Sequence, residues 1–162
     1  MRIGVVGDTH NRMPNVDRIV QLFEQARIER IVHTGDITQP KVLERFAVLG
    51  VPLLGVYGNN DHGERRRLEA EASRFGMDLA DPPRTFEWAG RRILVAHDPV
   101  EVIDAHSEDL DLVLHGHTHR HRHERLDGTL IFNPGECAGS REGGNAVGLV
   151  DLISLEVQLL KF

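Results

Sequence analysis

Five short polar clusters in this 162-residue chain carry side chains that bind metal ions. They are Asp8 and His10 in Gly-Asp-Thr-His, Asp36 behind Gly35, Asn59 and Asn60 in Gly-Asn-Asn-Asp, His97, and His117 with His119 in Gly-His-Thr-His. Two carboxylates, one amide oxygen and four imidazoles supply two metal ions if one carboxylate is shared between them. A mixed oxygen and nitrogen set without thiolate suits manganese, iron, cobalt, nickel or zinc better than copper(I) or an iron–sulfur cluster. Two such ions roughly 3.5–4 Å apart clamp a phosphate, lower the pKa of a water between them and stabilise in-line attack.

These clusters need a scaffold that brings them together, and each follows directly on a stretch that reads as a strand. Residues 2–7 are a short apolar run ending in Gly-Asp, the pattern of a buried strand. Pro14 then opens a helix with Val16, Ile19, Val20, Phe23 and Ala26 at helical spacing. A second strand at 31–32 leads to Asp36, and Pro40 opens a helix with Val42, Leu43, Phe46 and Leu49 inward. A third strand at 51–57 leads to Asn59, and 64–75 is a charged helix with Leu68, Ala72 and Phe75 on one stripe. Three strand–helix units in succession predict a parallel central sheet.

The second half changes character. Residues 85–88 and 93–96 form a hairpin around Ala89-Gly90, a helix lies near 100–106, and 112–114 is a strand. Residues 123–126 and 129–132 pair through Asp127-Gly128 as a type I′ hairpin, and 146–153 pairs with 155–160. The reading is an α/β protein of one domain over 1–162, with two stacked mixed sheets and helices outside. Ligand sites in α/β sheets form at the carboxyl ends of strands, so the five clusters are expected to meet.

Composition narrows the function classes. No window approaches ~18 consecutive apolar residues, so no membrane span is expected. The opening Met-Arg-Ile-Gly-Val-Val-Gly-Asp reads as a first strand and not as a secretory leader. A single cysteine, Cys137, excludes a disulfide framework and a thiolate-rich zinc site. Both features favour a cytoplasmic location. A formal net charge of -6 argues against a general nucleic-acid coat.

In order and spacing, the five motifs resemble the calcineurin-like metallophosphoesterases. The short length, the loop Asn133-Pro134-Gly135-Glu136-Cys137 and the closing hairpin resemble the small YfcE-type prokaryotic phosphodiesterase branch, related to the metallophosphoesterase-like subunit of retromer. The resemblance covers almost the whole chain. It implies a four-layer αββα sandwich and a binuclear, metal-dependent phosphodiesterase that uses a metal-bridging hydroxide as nucleophile on a small phosphodiester. By matching position, Asp8, His10, Asp36 and His119 would bind the first ion, and Asp36, Asn59, His97 and His117 the second. Manganese or nickel is implied, with zinc, iron(II) and cobalt also suited to the donors. Asp36 would place both ions, and Asn60 would hold phosphate oxygens.

Two positions depart from the family's common pattern. Asn60 stands where many relatives carry a histidine that protonates the leaving oxygen, and Asp98-Pro99 stands where a Gly-His pair is common. Loss of the acid predicts a preference for esters whose leaving group needs no proton. His62 is read as a solvated loop residue rather than a displaced acid. A non-catalytic interaction scaffold on the same fold is the alternative, against which all seven inferred ligands are present. A metallo-β-lactamase-type hydrolase is disfavoured, because its histidine-rich motif stands early in the chain.

Simpler readings exist for several of these residues. Asp8 and Asp36 are also the type that caps helices, and Asn59 the type that occupies left-handed turns. His33 reads as a core histidine, His115 as a support for the site, and His121 and His123 as bystanders. Arg65, Arg66 and Arg67 read as a solvated helix face, and Cys137 as a structural thiol. Loops 11–13, 98–101 and 138–145 are where specificity would lie, and no interface for a homo-oligomer is readable.

Overall fold

The computed structural model describes residues 1–105 and 109–162. Parallel strands β1 (Arg2–Val6), β2 (Arg30–His33), β3 (Leu53–Val56) and β4 (Asp78–Ala80) are linked by α1 (Met13–Ala26), α2 (Pro40–Ala47) and α3 (Arg65–Arg74). Each of the first two helices has its proline in the first turn, where the missing N–H has no helical partner to lose. The second sheet contains β5 (Arg84–Trp88), β6 (Arg91–Val95), β7 (Leu112–Leu114), β8 (Arg122–Leu126) and β9 (Thr129–Asn133), in the order β5-β6-β7-β9-β8. The closing pair β10 (Ala146–Asp151) and β11 (Glu156–Lys161) returns to the first sheet, giving the order β11-β10-β1-β2-β3-β4. Both sheets are therefore mixed.

Alternation along the strands builds the layers. Ile3, Val5, Val32, Leu54 and Val56 of the first sheet pack against Ile93, Val95, Leu112, Leu114, Leu130 and Phe132 of the second. The opposite face of the first sheet packs on Val16, Ile19, Phe23, Val42, Phe46 and Leu68 of the three α-helices. The outer face of the second sheet, with Leu94, Val113 and Ile131, packs among the described residues on Val102 and Leu110.

Most elements stand where the sequence places them, with four differences. The third strand ends at Val56 because Tyr57 and Gly58 already turn toward the polar cluster. The charged helix begins at Arg65, preceded by a 3-10 turn over Asn59–Glu64. The helix expected near 100–106 is a 3-10 segment, Pro99–Ala105, and His106 lies outside the described residues. Strand β4 was not expected at all: it is a three-residue edge strand without a buried position. The Asp127-Gly128 turn has φ of 49° and 92°, as the type I′ reading requires.

Candidate metal centre

All five polar clusters lie just beyond the carboxyl ends of β1, β2, β3, β6 and β7. The backbone there is sharply bent. Asp8, His10, Asp36, His117 and His119 all have φ between 40° and 64°, in the left-handed region. Such a conformation costs a non-glycine residue about 1 kcal/mol or more, and it persists only where the surroundings impose it. The caps that would explain the carboxylates more simply are absent. Arg12 and Gln39 are the N-caps of α1 and α2, and Asn59 is not left-handed.

The surroundings that impose this geometry are traceable. Asp61 is fully buried, and its carboxylate accepts from the N–H groups of Asp36 (3.0 Å), Thr38 (2.7 Å) and Gly58 (2.7 Å). One side chain thus ties the loop after β2 to the loop after β3. His33, also fully buried, accepts from Gly35 N–H through Nδ1 and lies 3.3 Å from Thr9 Oγ1 through Nε2. Burial holds the His33 imidazole neutral, with its pKa pushed down to about 3. Close approach explains Gly58, where a Cβ would stand 2.2 Å from Asp36 Oδ1. Gly35, at φ 101°, allows the preceding turn and leaves room for the His97 ring.

The structure brings Asp8, His10, Asp36 and His119 together, each offering one donor atom within 4.8 Å of the others. His10 Nε2 lies 3.3 Å from Asp36 Oδ2, and His119 Nε2 lies 3.5 Å from Asp8 Oδ1. His10 Nε2 is buried with no hydrogen-bond partner among the described residues. Asp8 is fully buried, and its pKa is pushed up to about 8, chiefly by desolvation and then by the Asp36 charge. Two buried carboxylates without a cation between them oppose each other, so this pocket fits a cation.

Asn59, His97 and His117 form a second cluster on the other side of Asp36. His97 Nε2 lies 2.9 Å from Asn59 Oδ1, 3.2 Å from His117 Nδ1 and 3.5 Å from Asp36 Oδ1. His117 Nδ1 is 3.1 Å from Asn59 Oδ1. His97 Nδ1 lies 2.8 Å from the Thr34 carbonyl, which only accepts, so Nδ1 donates there. In the neutral ring Nε2 is then an acceptor facing the acceptor Asn59 Oδ1, an arrangement that a cation satisfies. Ligands at right angles about 2.1 Å from one ion lie about 3.0 Å apart, close to these spacings.

Residues 1–154 match the calcineurin-like phosphoesterase superfamily domain. The chain belongs to that superfamily. It is 31% identical over 155 residues to the phosphodiesterase MJ0936 of Methanocaldococcus jannaschii, covering 93% of each chain. The solved structure of an archaeal phosphodiesterase superposes with a TM-score of 0.90 at 30% identity, covering 100% of both chains. The phosphoesterase Yfce of E. coli, at 19% identity and TM-score 0.73 over 99% of this chain and 98% of its own, shares the fold. So does Vps29 of Entamoeba histolytica, at 17% identity and TM-score 0.70 over 100% of this chain and 99% of its own.

Calcineurin-like phosphoesterases take divalent metal ions, and the clustered Asp and His side chains fit that requirement in this member. Asn60 is turned toward Asp36. Its backbone N–H donates to Asp36 Oδ1 (2.9 Å) and its amide donates to Asp36 Oδ2 (2.7 Å). The amide is drawn there by the shared carboxylate, leaving only its second N–H free. His62 is exposed and lines a small recess beside Asn59, His97 and His117. Arg65 forks onto Asp81 and lies 4.5 Å over the Tyr57 ring, so its charge is compensated. Cys137 is buried, its thiol pKa raised by desolvation, and Sγ donates to Ala146 O.

Two residues of this superfamily member escaped the sequence reading. Asp61 was passed over because a carboxylate that accepts from distant backbone N–H groups leaves no spacing signature. Glu136, also fully buried, lies 3.8 Å from His119 Nδ1 and accepts from Ala138, Ser140 and Arg141 N–H. Those three hydrogen bonds hold its pKa down against burial. Its neighbours Asn133-Pro134-Gly135 mark a structured loop, and that was the only available clue.

Proposed function

We propose that this chain is a metal-dependent phosphodiesterase of one domain over 1–162, hydrolysing small phosphodiesters at the seven-residue centre. One observation carries the reading: two donor clusters meet at Asp36, and His10 Nε2, buried beside it, has no hydrogen-bond partner among the described residues. The 31% identity to a phosphodiesterase over most of both chains supports the same reaction class.

Asp8, His10, Asp36 and His119 would hold the first ion, and Asp36, Asn59, His97 and His117 the second. When bound, the pair would supply a hydroxide nucleophile from water at neutral pH and positive charge against the phosphoryl oxygens. Manganese or nickel is the expected pair, with zinc, iron(II) and cobalt suited to the same donors. Asp36 lies between the clusters and is held by Asn60 from both its backbone and its amide. The Asn60 N–H left over would donate to a phosphate oxygen. Asn60 has no acidic proton to give the leaving oxygen, so good leaving groups are favoured. The cytoplasm is the expected location, and no helix among the described residues is long and apolar enough to cross a membrane.

The test is a hydrolysis panel of phosphomonoesters, phosphodiesters and cyclic nucleotides with Mn²⁺, Ni²⁺, Zn²⁺ and Mg²⁺ added separately, alongside metal content by emission spectroscopy. Phosphodiester turnover with close to two ions per chain is expected. A protein that binds no metal and cannot be reconstituted would be a scaffold instead.

A further inference from the structure

Two recesses adjoin the metal centre, and they differ in charge. One, of about 170 Å³, touches the second cluster through Asn59, His97 and His117. Its remaining wall includes Asp81, Asp98 and Glu101. Asp81 is neutralised by Arg65, but among the described residues Asp98 and Glu101 have no cationic partner except the His117 ring, 3.5 Å from Asp98. The other, a groove of about 350 Å³, touches the first cluster through His119 and is walled by Arg120, His121, Arg141 and Lys161. No residue is common to the two.

The three cations of the groove are exposed, and none has a side-chain partner among the described residues. Glu142 is the one acid in the lining. In a chain of net charge -6, three free cations around one groove are a marked local concentration. The groove is also built into the metal centre. Glu136, whose carboxylate lies 3.8 Å from His119, accepts from the backbone N–H of Arg141 at 2.8 Å. Lys161 is held opposite Ala146 in the β10–β11 ladder, one residue beyond this loop. The positions of the cations are thereby set relative to His119.

Resting on the phosphodiesterase reading, we propose that this groove is a subsite for a second phosphate of the substrate. The favoured substrates are phosphodiesters that carry a further phosphate on the alcohol lying past His119. The alcohol past His117 is neutral, because Asp98 and Glu101 repel an anion there. A phosphate in the groove meets unpaired guanidinium and ammonium groups, and the gain is Coulombic and therefore screened by salt.

A matched pair of chromogenic esters tests this with the metal-loaded protein: thymidine 5′-(4-nitrophenyl phosphate) and its 3′-phosphorylated form. The phosphorylated compound should be hydrolysed with about tenfold higher kcat/KM at low salt, and the advantage should shrink severalfold at about 0.5 M salt. In the double variant Arg141→Gln/Lys161→Gln the advantage should fall to about unity, with the unphosphorylated ester turned over as by wild type. Calorimetric binding of thymidine 3′,5′-bisphosphate should weaken in the same variant by a comparable factor, independently of turnover. Equal hydrolysis of both esters by wild type, or an advantage indifferent to salt and to the double variant, overturns the subsite and leaves the phosphodiesterase reading standing. Hydrolysis of neither ester overturns both.

Discussion

The two donor clusters share Asp36 but are built on opposite electrostatic terms. The first sits in the interior: Asp8 is fully buried, Asp36 is 1% exposed, and Asp8 resists ionisation up to about pH 8. The second opens to the surface, with Asn59 and His117 exposed and two imidazoles meeting an amide oxygen. A cation at the first relieves a repulsion that the fold otherwise carries, whereas a cation at the second relieves only a meeting of lone pairs. The contrast predicts that a cation at the first position would act mainly on stability and one at the second mainly on turnover.

Four experiments break or sharpen this contrast. The largest effect is expected at the shared residue. Asp36→Asn should abolish pairing of the ions and lower kcat on the order of 10³-fold or more, the scale of losing a preorganised electrostatic group. Full turnover in that variant would separate the two clusters altogether. Next, Asn59→Ala should lower turnover while leaving one tightly held ion per chain, and metal titration followed by emission spectroscopy reads the stoichiometry. Loss of both ions would make the clusters equivalent.

The third experiment uses pH on the metal-free protein. Asp8 has a folded pKa of about 8, above its unfolded value, so the folded state holds a proton that the unfolded state has released. Its contribution is present at low pH and is lost as pH rises toward about 8. His33, with a folded pKa of about 3, works in the opposite sense below its unfolded value. From about pH 6.5 to 8 Asp8 acts without that opposition, and metal-free stability should fall with a slope of at most about 1.4 kcal/mol per pH unit. Denaturant melts of wild type and Asp8→Asn check this, and the variant should show a flatter slope. The smallest effect concerns the leaving group. Without an acid at position 60, rates for a series of phosphodiesters should fall steeply as leaving-group pKa rises, and Asn60→His should flatten the dependence.

Much of this architecture was legible from the chain. Short apolar runs placed β1, β2 and β7, because a strand covered on both faces is apolar throughout, and helical apolar spacing placed α1 and α2, which bury one face. Strand β4 was invisible because an edge strand of three residues has no buried face to mark it. The segment after His97 read as a helix, yet Pro99 and the Glu101 carboxylate, which accepts from His97 and Asp98 N–H, bend it into a 3-10 turn. That Asp8, His10, Asp36 and His119 would gather after strands was readable from type, spacing and position. The role of Asn60 was not, since whether its amide meets a substrate or Asp36 depends on a residue twenty-four positions away.

The sequence by itself determined the donors, their order and the strand ends that carry them, because residue type and periodicity are local properties. Tertiary structure alone decided which donors share Asp36, that Asp61 and Glu136 brace them, and that loops 98–101 and 138–145 border recesses of opposite charge. Those are matters of distance between segments far apart in the chain. Electrostatic energy depends on that distance and on burial, and neither is written in spacing along the backbone.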